Sequence, residues 1–260
     1  MAQYAWATCP NEIYAQVRDL LDGLRAILGS TMQGLYLHGS LALGCFNPDR
    51  SDIDLLVITH GPMTIHEKFV AAELLLNLSS RPRPLEISFL TRKQMSPWRH
   101  PAPYDFHFGE DHRTRMVADL ADDGWRAWND VRRRDPDLAA HLTVVRARGI
   151  CVFGQPVADT FPHVPHADYV DAILDDLSWS QAHLETNATY AILNACRILG
   201  YLADGGIRSK DEGGVWALDH LPADHAATIA LALDDYRTNA NPPFDPSQIE
   251  TFMAFVKTRI

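Results

Sequence analysis

The stretch that constrains this chain most is Leu35–Ile58, LYLHGSLALGCFNPDRSDIDLLVI. An apolar run ends in His38-Gly39-Ser40, eleven residues intervene, and Asp52-Ile53-Asp54 then leads directly into Leu55-Leu56-Val57-Ile58. Side chains alternate between faces along a β-strand, so a strand here turns Asp52 and Asp54 to one side and Ile53 to the other. Two carboxylates on one face repel each other unless a cation sits between them. Hard oxygen ligands on a rigid strand suit Mg²⁺, which commonly binds through one or two carboxylates together with substrate phosphates. The Gly39-Ser40 turn upstream can bring bare backbone N–H groups and a hydroxyl against a phosphate. An incidental acidic pair in a surface loop would have no reason to run straight into four apolar residues.

At 260 residues the chain can bury a sizeable core in one or two domains. Its hydrophobic content of 47% and charged content of 22% are those of a soluble globular protein. No apolar run approaches the ~18 residues of a membrane span, and Met1-Ala2-Gln3-Tyr4 does not open a secretory signal. Cys9, Cys45, Cys151 and Cys196 are far apart and form no C-x-x-C pair, as expected of reduced thiols in a cytoplasmic protein. A net charge of -10 argues against a nucleic-acid partner, which calls for a basic face. It suits a cationic small-molecule substrate drawn to an acidic cleft.

Taken in order, Pro10-Asn11 opens a helix with Asn11 as its N-cap, and Ile13, Val17, Leu20, Leu21, Leu24 and Leu28 follow at helical spacing up to Gly29. A strand over Gly34–His38, the Gly-Ser turn and a strand over Asp52–Ile58 come next. Thr64 caps a second helix to about Leu78, and Arg81-Pro82-Arg83-Pro84 breaks the chain before a strand over Leu85–Thr91. In that strand Leu85, Ile87 and Phe89 alternate inward, leaving Glu86 and Ser88 on the opposite face. Glu86 is thereby a third carboxylate able to share a cleft with Asp52 and Asp54.

Residues 96–112 are rich in proline, aromatics and histidine without a clear period, as expected of a binding loop. His100, His107 and His112 lack metal-ligand spacing and are assigned to packing or surface roles. Asp119–Val131 is a helix or turn interrupted at Gly124. Arg132-Arg133-Arg134 is a solvated helix end, and a helix over Asp137–Arg148 carries Leu138, Leu142 and Val145 on one stripe. After Phe153 nothing alternates like a strand. Helical patterns cover Asp168–His183, Ala188–Ala203, Lys210–His220, Ala223–Thr238 and Ser247–Ile260. The fold class is therefore α+β with two domains, residues 1–157 with a mixed sheet and residues 158–260 as an all-α helical bundle.

The Gly-Ser…Asp-x-Asp pattern resembles the signature of the polymerase-β-like nucleotidyltransferase superfamily. Longer pieces narrow it: LEISFL, PWRHPAPYDFHFGE, DLAAHLTVVRARGICVFG, NACRILGYLADGGIRSKDEGGVWALDHLP and FMAFVK. With these the chain is similar to the aminoglycoside adenylyltransferases that modify streptomycin and spectinomycin. The resemblance implies transfer of AMP from ATP to a hydroxyl of such a drug, with release of pyrophosphate. Asp52 and Asp54 would hold Mg²⁺, and Glu86 would be the general base. Gly39, Ser40 and Ser51 would meet the triphosphate, with Arg197 and Lys210 from the helical domain. Tyr236 matches an aromatic position near the nucleotide.

Attack of a hydroxyl on the α-phosphorus requires charge neutralisation, in-line placement and a base, in agreement with that assignment. Arg197 interrupts the apolar Ala195–Leu199 run, and Lys210 at a helix start would be relieved by a bound anion. The chain departs from the streptomycin-modifying members at Asp111, where they place a tryptophan. It departs again at His183 and Asn187, which stand near acids that contact the drug, while Glu185 remains. Glu86, Asp111, His183, Glu185 and Asn187 are the candidate substrate contacts, and a monomer without membrane or nucleic-acid partner is expected. An alternative keeps the chemistry on another small-molecule or protein acceptor, and a further one is a non-catalytic nucleotide-binding or antitoxin-like module.

Overall fold

Apolar residues at helical spacing make α1 (Asn11–Leu28) the first long element of the computed structural model, which describes residues 3–260. Its Ile13, Val17, Leu20, Leu24 and Leu28 are buried, and Gly29 ends it at φ +52° with its N–H on the Arg25 carbonyl. The N-cap is Pro10, one residue before the asparagine expected there, and no side chain caps this end. The chain then runs through β1 (Met32–Leu37), α2 (Gly39–Leu43), β2 (Ile53–Thr59), α3 (Ile65–Leu78) and β3 (Leu85–Thr91). The Gly-Ser turn is thus the first turn of a short helix, and the strand expected over Leu85–Thr91 has those bounds.

Thr64 caps α3 as its sequence suggests. Its hydroxyl accepts the Glu67 N–H at 3.2 Å, and the Glu67 carboxylate accepts the Thr64 N–H at 2.6 Å. Thr64→Ala is expected to cost about 1 kcal/mol of stability, read by chemical denaturation, with turnover unchanged.

The region after β3 contains α4 (Arg92–Met95), β4 (Ala102–Tyr104), β5 (Phe106–Phe108), α5 (Arg113–Ala121), β6 (Arg133–Asp135), α6 (Leu138–Arg148), β7 (Ile150–Gly154) and α7 (Val157–Thr160). Two expectations are corrected here. The segment 96–112 is not a loop throughout, because β5 pairs antiparallel with β3 and β4 pairs with β6. The arginine run lies partly in β6 instead of ending a helix, with Arg134 donating to the Pro101 carbonyl at 2.9 Å. Strands of three residues are too short to leave a period in the sequence. The corner between β4 and β5 is anchored by the buried Lys68, whose Nζ donates to the Asp105 carboxylate at 2.8 Å and carbonyl at 2.7 Å.

The main sheet has the order β5-β3-β2-β1-β7, with β2 and β3 parallel and the other neighbours antiparallel. One face packs Leu35, Leu37, Ile53, Leu55, Val57, Ile87 and Phe89 against α1 and α3. The other packs Tyr36, Leu56, Ile58 and Leu90 against Leu138, Leu142 and Val145 of α6. Parallel strands covered on both sides are apolar throughout. In β2 and β3 alike, every residue is buried except the second, Asp54 in one and Glu86 in the other.

Residues 4–168 form one compact unit, and residues 169–260 with Gln3 form a second. The second is helical: α8 (His166–Ala182) runs into it, and α9 (Leu184–Asp204), α10 (Lys210–His220), α11 (Ala226–Thr238) and α12 (Pro246–Lys257) follow. Ile192, Ala195, Ile198, Ala232, Phe252 and Val256 form part of its interior. Among the described residues no helix is long and apolar enough to cross a membrane.

Candidate active site

Asp54 and Glu86 are register partners across the parallel β2–β3 pair, so both side chains leave the sheet on one face. Asp52 precedes β2, and its carboxylate joins them: one oxygen from each of Asp52, Asp54 and Glu86 lies within 4.8 Å of the others. The three acids singled out in the sequence therefore form one cluster. Its backbone is pinned from both sides. The His38 N–H donates to the Asp54 carbonyl at 3.1 Å, and the Ile53 N–H donates to the Pro84 carbonyl at 2.9 Å. Arg83 donates through Nε to the Ser51 carbonyl at 2.7 Å and through a terminal nitrogen to the Asp49 carbonyl at 3.1 Å. Burial lowers the pKa of that guanidinium, against the pull of Asp52.

Two features show that the cluster fits a cation with a phosphate. Gly39 adopts φ +55°, and a Cβ built on it would stand 1.7 Å from Asp54 Oδ2. Only glycine lets the backbone come so close to the carboxylate. The Ser40 hydroxyl oxygen next to it is buried without a hydrogen-bond partner among the described residues, which calls for a ligand. Three convergent carboxylates are the donor set of a hard divalent ion. Ser51, by contrast, uses its hydroxyl oxygen to accept the Asn47 N–H at 3.0 Å, closing the loop in front of Asp52.

The environment pushes Glu86 above the ordinary carboxylate range. Burial is the main cause and the charge of Asp52 adds to it, while His141 of α6, with Nε2 at 4.0 Å from Glu86 Oε1, opposes both. His141 packs its ring 4.8 Å from His38, which burial holds uncharged, well below the usual histidine range. Asp137 lies four residues before His141, a spacing that places both on one side of α6.

A cavity of about 450 Å³ opens onto this cluster within the first unit, and Asp52, Glu86, Asp111, Asp135 and Asp137 line it together with Tyr104, His107 and His112. His107 and His112, assigned from the sequence to packing or surface roles, both stand on the wall of the cavity that Glu86 lines. The signal available in the sequence was the Phe106-His107-Phe108 alternation, which turns the histidine opposite to two buried rings. His141 and Asp137 could have been found from their spacing on the helix that covers the sheet. Glu110, also at the cavity, has a structural task. It accepts from Arg113 Nε at 2.6 Å and Nη2 at 2.9 Å and from the hydroxyls of Ser79 and Ser80, while Ser79 accepts the Leu85 N–H. These bonds, Arg113 foremost, hold its carboxyl down at about 2 and tie the cavity rim to the start of β3.

In the helical unit, Arg197 and Lys210 gather around Tyr190. Lys210 Nζ stands 4.2 Å from the Tyr190 ring centroid, and Arg197 donates to Asn194 at 2.7 Å and to Asp176 at 3.1 Å. The Tyr190 hydroxyl donates to the same Asp176 at 2.9 Å. A Cβ on Gly213 of α10 would meet the Arg197 Cα at 2.7 Å, so this glycine permits the close approach of α10 to α9. Tyr236 lies on α11, partly exposed. His183, Glu185 and Asn187 lie where α8 passes into α9, with Asn187 at non-helical φ -136° and His183 stacked on the exposed Trp179 at 4.4 Å.

Comparison with known proteins agrees with both units. Residues 17–102 match the family described as Nucleotidyltransferase domain, and residues 159–259 match that described as Aminoglycoside adenylyltransferase, C-terminal domain. A spectinomycin 9-adenylyltransferase of Staphylococcus aureus is 26% identical over 96% of this chain and 95% of its own length. An aminoglycoside (3'')(9) adenylyltransferase of Shigella flexneri is 27% identical over the same shares, 96% and 95%. The fold is that of a spectinomycin adenyltransferase of Enterococcus faecalis solved with ATP and spectinomycin, at a TM-score of 0.79 and 22% identity over 95% of this chain and 98% of that one. A nucleotidyltransferase domain with its acids in register is thus followed by a domain that matches the C-terminal domain of aminoglycoside adenylyltransferases.

Proposed function

We propose that the protein transfers AMP from ATP to a hydroxyl group of an aminoglycoside or aminocyclitol antibiotic, with Mg²⁺ as its metal. The observation that carries this reading is the convergence of Asp52, Asp54 and Glu86 at the mouth of an acidic cavity. In the reaction, Glu86 takes the proton of the acceptor hydroxyl as its oxygen attacks the α-phosphorus of ATP. The bond from that phosphorus to the bridging oxygen breaks, and pyrophosphate leaves with the electron pair. Asp52 and Asp54 would hold the metal. When bound, it would supply positive charge against the phosphate oxygens.

The raised pKa of Glu86 suits a base, because proton transfer is most effective when the catalytic pKa lies near the working pH. Ser40 and the open backbone at Gly39 would receive a phosphate, and Arg197 and Lys210 are the cations of the helical unit suited to a triphosphate. Carboxylates lining the cavity favour an acceptor that carries ammonium groups, since walls of one sign concentrate the opposite charge. The names of the relatives point to spectinomycin first.

Purified protein incubated with ATP and Mg²⁺ is expected to raise the mass of spectinomycin by one AMP, with equimolar pyrophosphate. A parallel reaction with streptomycin tests how far Asp111, His183 and Asn187 narrow the acceptor. Absence of any adduct on either drug, together with absence of pyrophosphate, would overturn the reading.

A further inference from the structure

We propose that His107 is a contact for the acceptor molecule, its imidazole tied through Nδ1 to Ser88 and presenting Nε2 as a hydrogen-bond acceptor to a hydroxyl or ammonium group beside Glu86. This inference rests on the adenylyl-transfer reading and adds the residue that recognises the acceptor. His107 is the register partner of Ser88, which lies two residues beyond Glu86 and therefore on the same face of β3. Ser88 is buried, and its hydroxyl meets His107 Nδ1 at 2.8 Å. That bond, with the edge-on rings of Tyr104 at 6.0 Å and His112 at 5.2 Å, fixes the imidazole in one orientation on the cavity wall.

Beside the opposite edge of the ring stands Gly109. A Cβ on Gly109 would stand 3.5 Å from His107 Nε2 and 2.7 Å from Asp111 Oδ1. Glycine at 109 thus leaves room at the nitrogen that Ser88 does not use. Burial, with His112 adding to it, pushes the His107 pKa down to about 4, so the ring is uncharged at neutral pH. An uncharged ring does not repel an ammonium-bearing acceptor and does not neutralise the carboxylates beside it. In the tautomer that donates Nδ1–H to Ser88, Nε2 keeps its lone pair, and this is the tautomer the proposal requires. An acceptor built from hydroxyl and ammonium groups brings donors in excess, which is what that lone pair recognises.

The test uses the full chain as wild type, His107→Phe, His107→Gln and Ser88→Ala. In steady-state kinetics with the antibiotic that wild type adenylylates, His107→Phe is expected to raise the KM for the drug about tenfold, the loss of one good hydrogen bond. The KM for ATP should stay within about twofold by the same reckoning. His107→Gln, whose carboxamide oxygen can accept the same bond, should recover most of the loss, and Ser88→Ala should raise the KM for the drug without touching that for ATP. A drug KM unchanged in His107→Phe, or both KM values raised together, overturns the proposal.

Imidazole-¹⁵N spectra of the wild type provide a measurement that needs no variant to fold. The His107 Nε2 signal should move on addition of spectinomycin or streptomycin and stay in place on addition of ATP. An unmoved signal in a drug-saturated sample overturns the contact. If the wild type forms no AMP adduct, the adenylyl-transfer reading falls separately. The ring signal then decides alone, a drug-induced shift retaining His107 as a contact and a fixed signal removing it.

Discussion

Glu86→Gln is expected to lower turnover by about 10²–10⁴-fold, the usual worth of a positioned general base, while ATP binding stays near wild type and the metal-free protein melts higher at neutral pH. The first effect follows from the proton that the acceptor hydroxyl must lose. The second follows from what raises Glu86: burial, with the charge of Asp52 beside it and Asp135 and Asp137 further out. A carboxyl whose folded pKa exceeds its unfolded value of about 4.3 is no burden when protonated. It costs stability progressively as pH rises through the folded pKa. The amide cannot ionise. The melting difference between Glu86→Gln and wild type should therefore be negligible at acidic pH, grow as pH rises above the ordinary carboxylate range, and level off above the folded pKa. Thermal melts in a chelator across that window measure it directly. Equal turnover in the variant would remove Glu86 as base, and a lower melting point at neutral pH would show that its carboxylate is favourably paired instead.

The same cluster shows what a sequence can and cannot disclose. Asp52 and Asp54 were legible because alternation along a strand is a local rule, and Glu86 because Leu85, Ile87 and Phe89 alternate around it. That Asp54 and Glu86 stand side by side was not legible, since the register of two parallel strands is set by how α3 packs on the sheet between them. His107 shared the face of Glu86 only through an antiparallel pairing three residues long, too short to impose a period on a segment crowded with proline. His141 was hidden for another reason. On α6 it follows the stripe of Leu138, Leu142 and Val145 that covers the sheet, and a histidine in such a position has the appearance of an ordinary boundary residue until the helix is laid over Glu86. The helical unit was the easier half, because helices announce themselves by spacing and caps. Its candidate site residues were not: Arg197 and Lys210 became a pair only through Tyr190, to which neither is adjacent in sequence.

Gly39→Ala is expected to reduce turnover by at least about 100-fold, the penalty for displacing a catalytic group by roughly 1 Å, and to raise the Mg²⁺ concentration needed for half-maximal rate. The glycine holds φ +55°, a conformation that strains any residue with a Cβ by about 1–3 kcal/mol. The strain is the lesser part. An added methyl would stand 1.7 Å from Asp54 Oδ2, 2.4 Å from its carboxyl carbon and 2.9 Å from its Cβ, so no small rotation of the carboxylate relieves the overlap. Asp54 is also held by its own carbonyl, which accepts the His38 N–H, so the side chain has to leave the cluster or the turn has to open. Either movement pulls one carboxylate away from Asp52 and Glu86. A double-mutant cycle separates the steric effect from the backbone strain. In an Asp54→Ala background the contacts with the carboxylate are gone and only the 2.9 Å approach to the retained Cβ is left, so Gly39→Ala should then cost the strain and that residual contact, with no further loss of activity. If Gly39→Ala alone keeps full turnover at low Mg²⁺, the carboxylate of Asp54 is not required where the fold holds it, and the metal would have to be carried by Asp52 and Glu86.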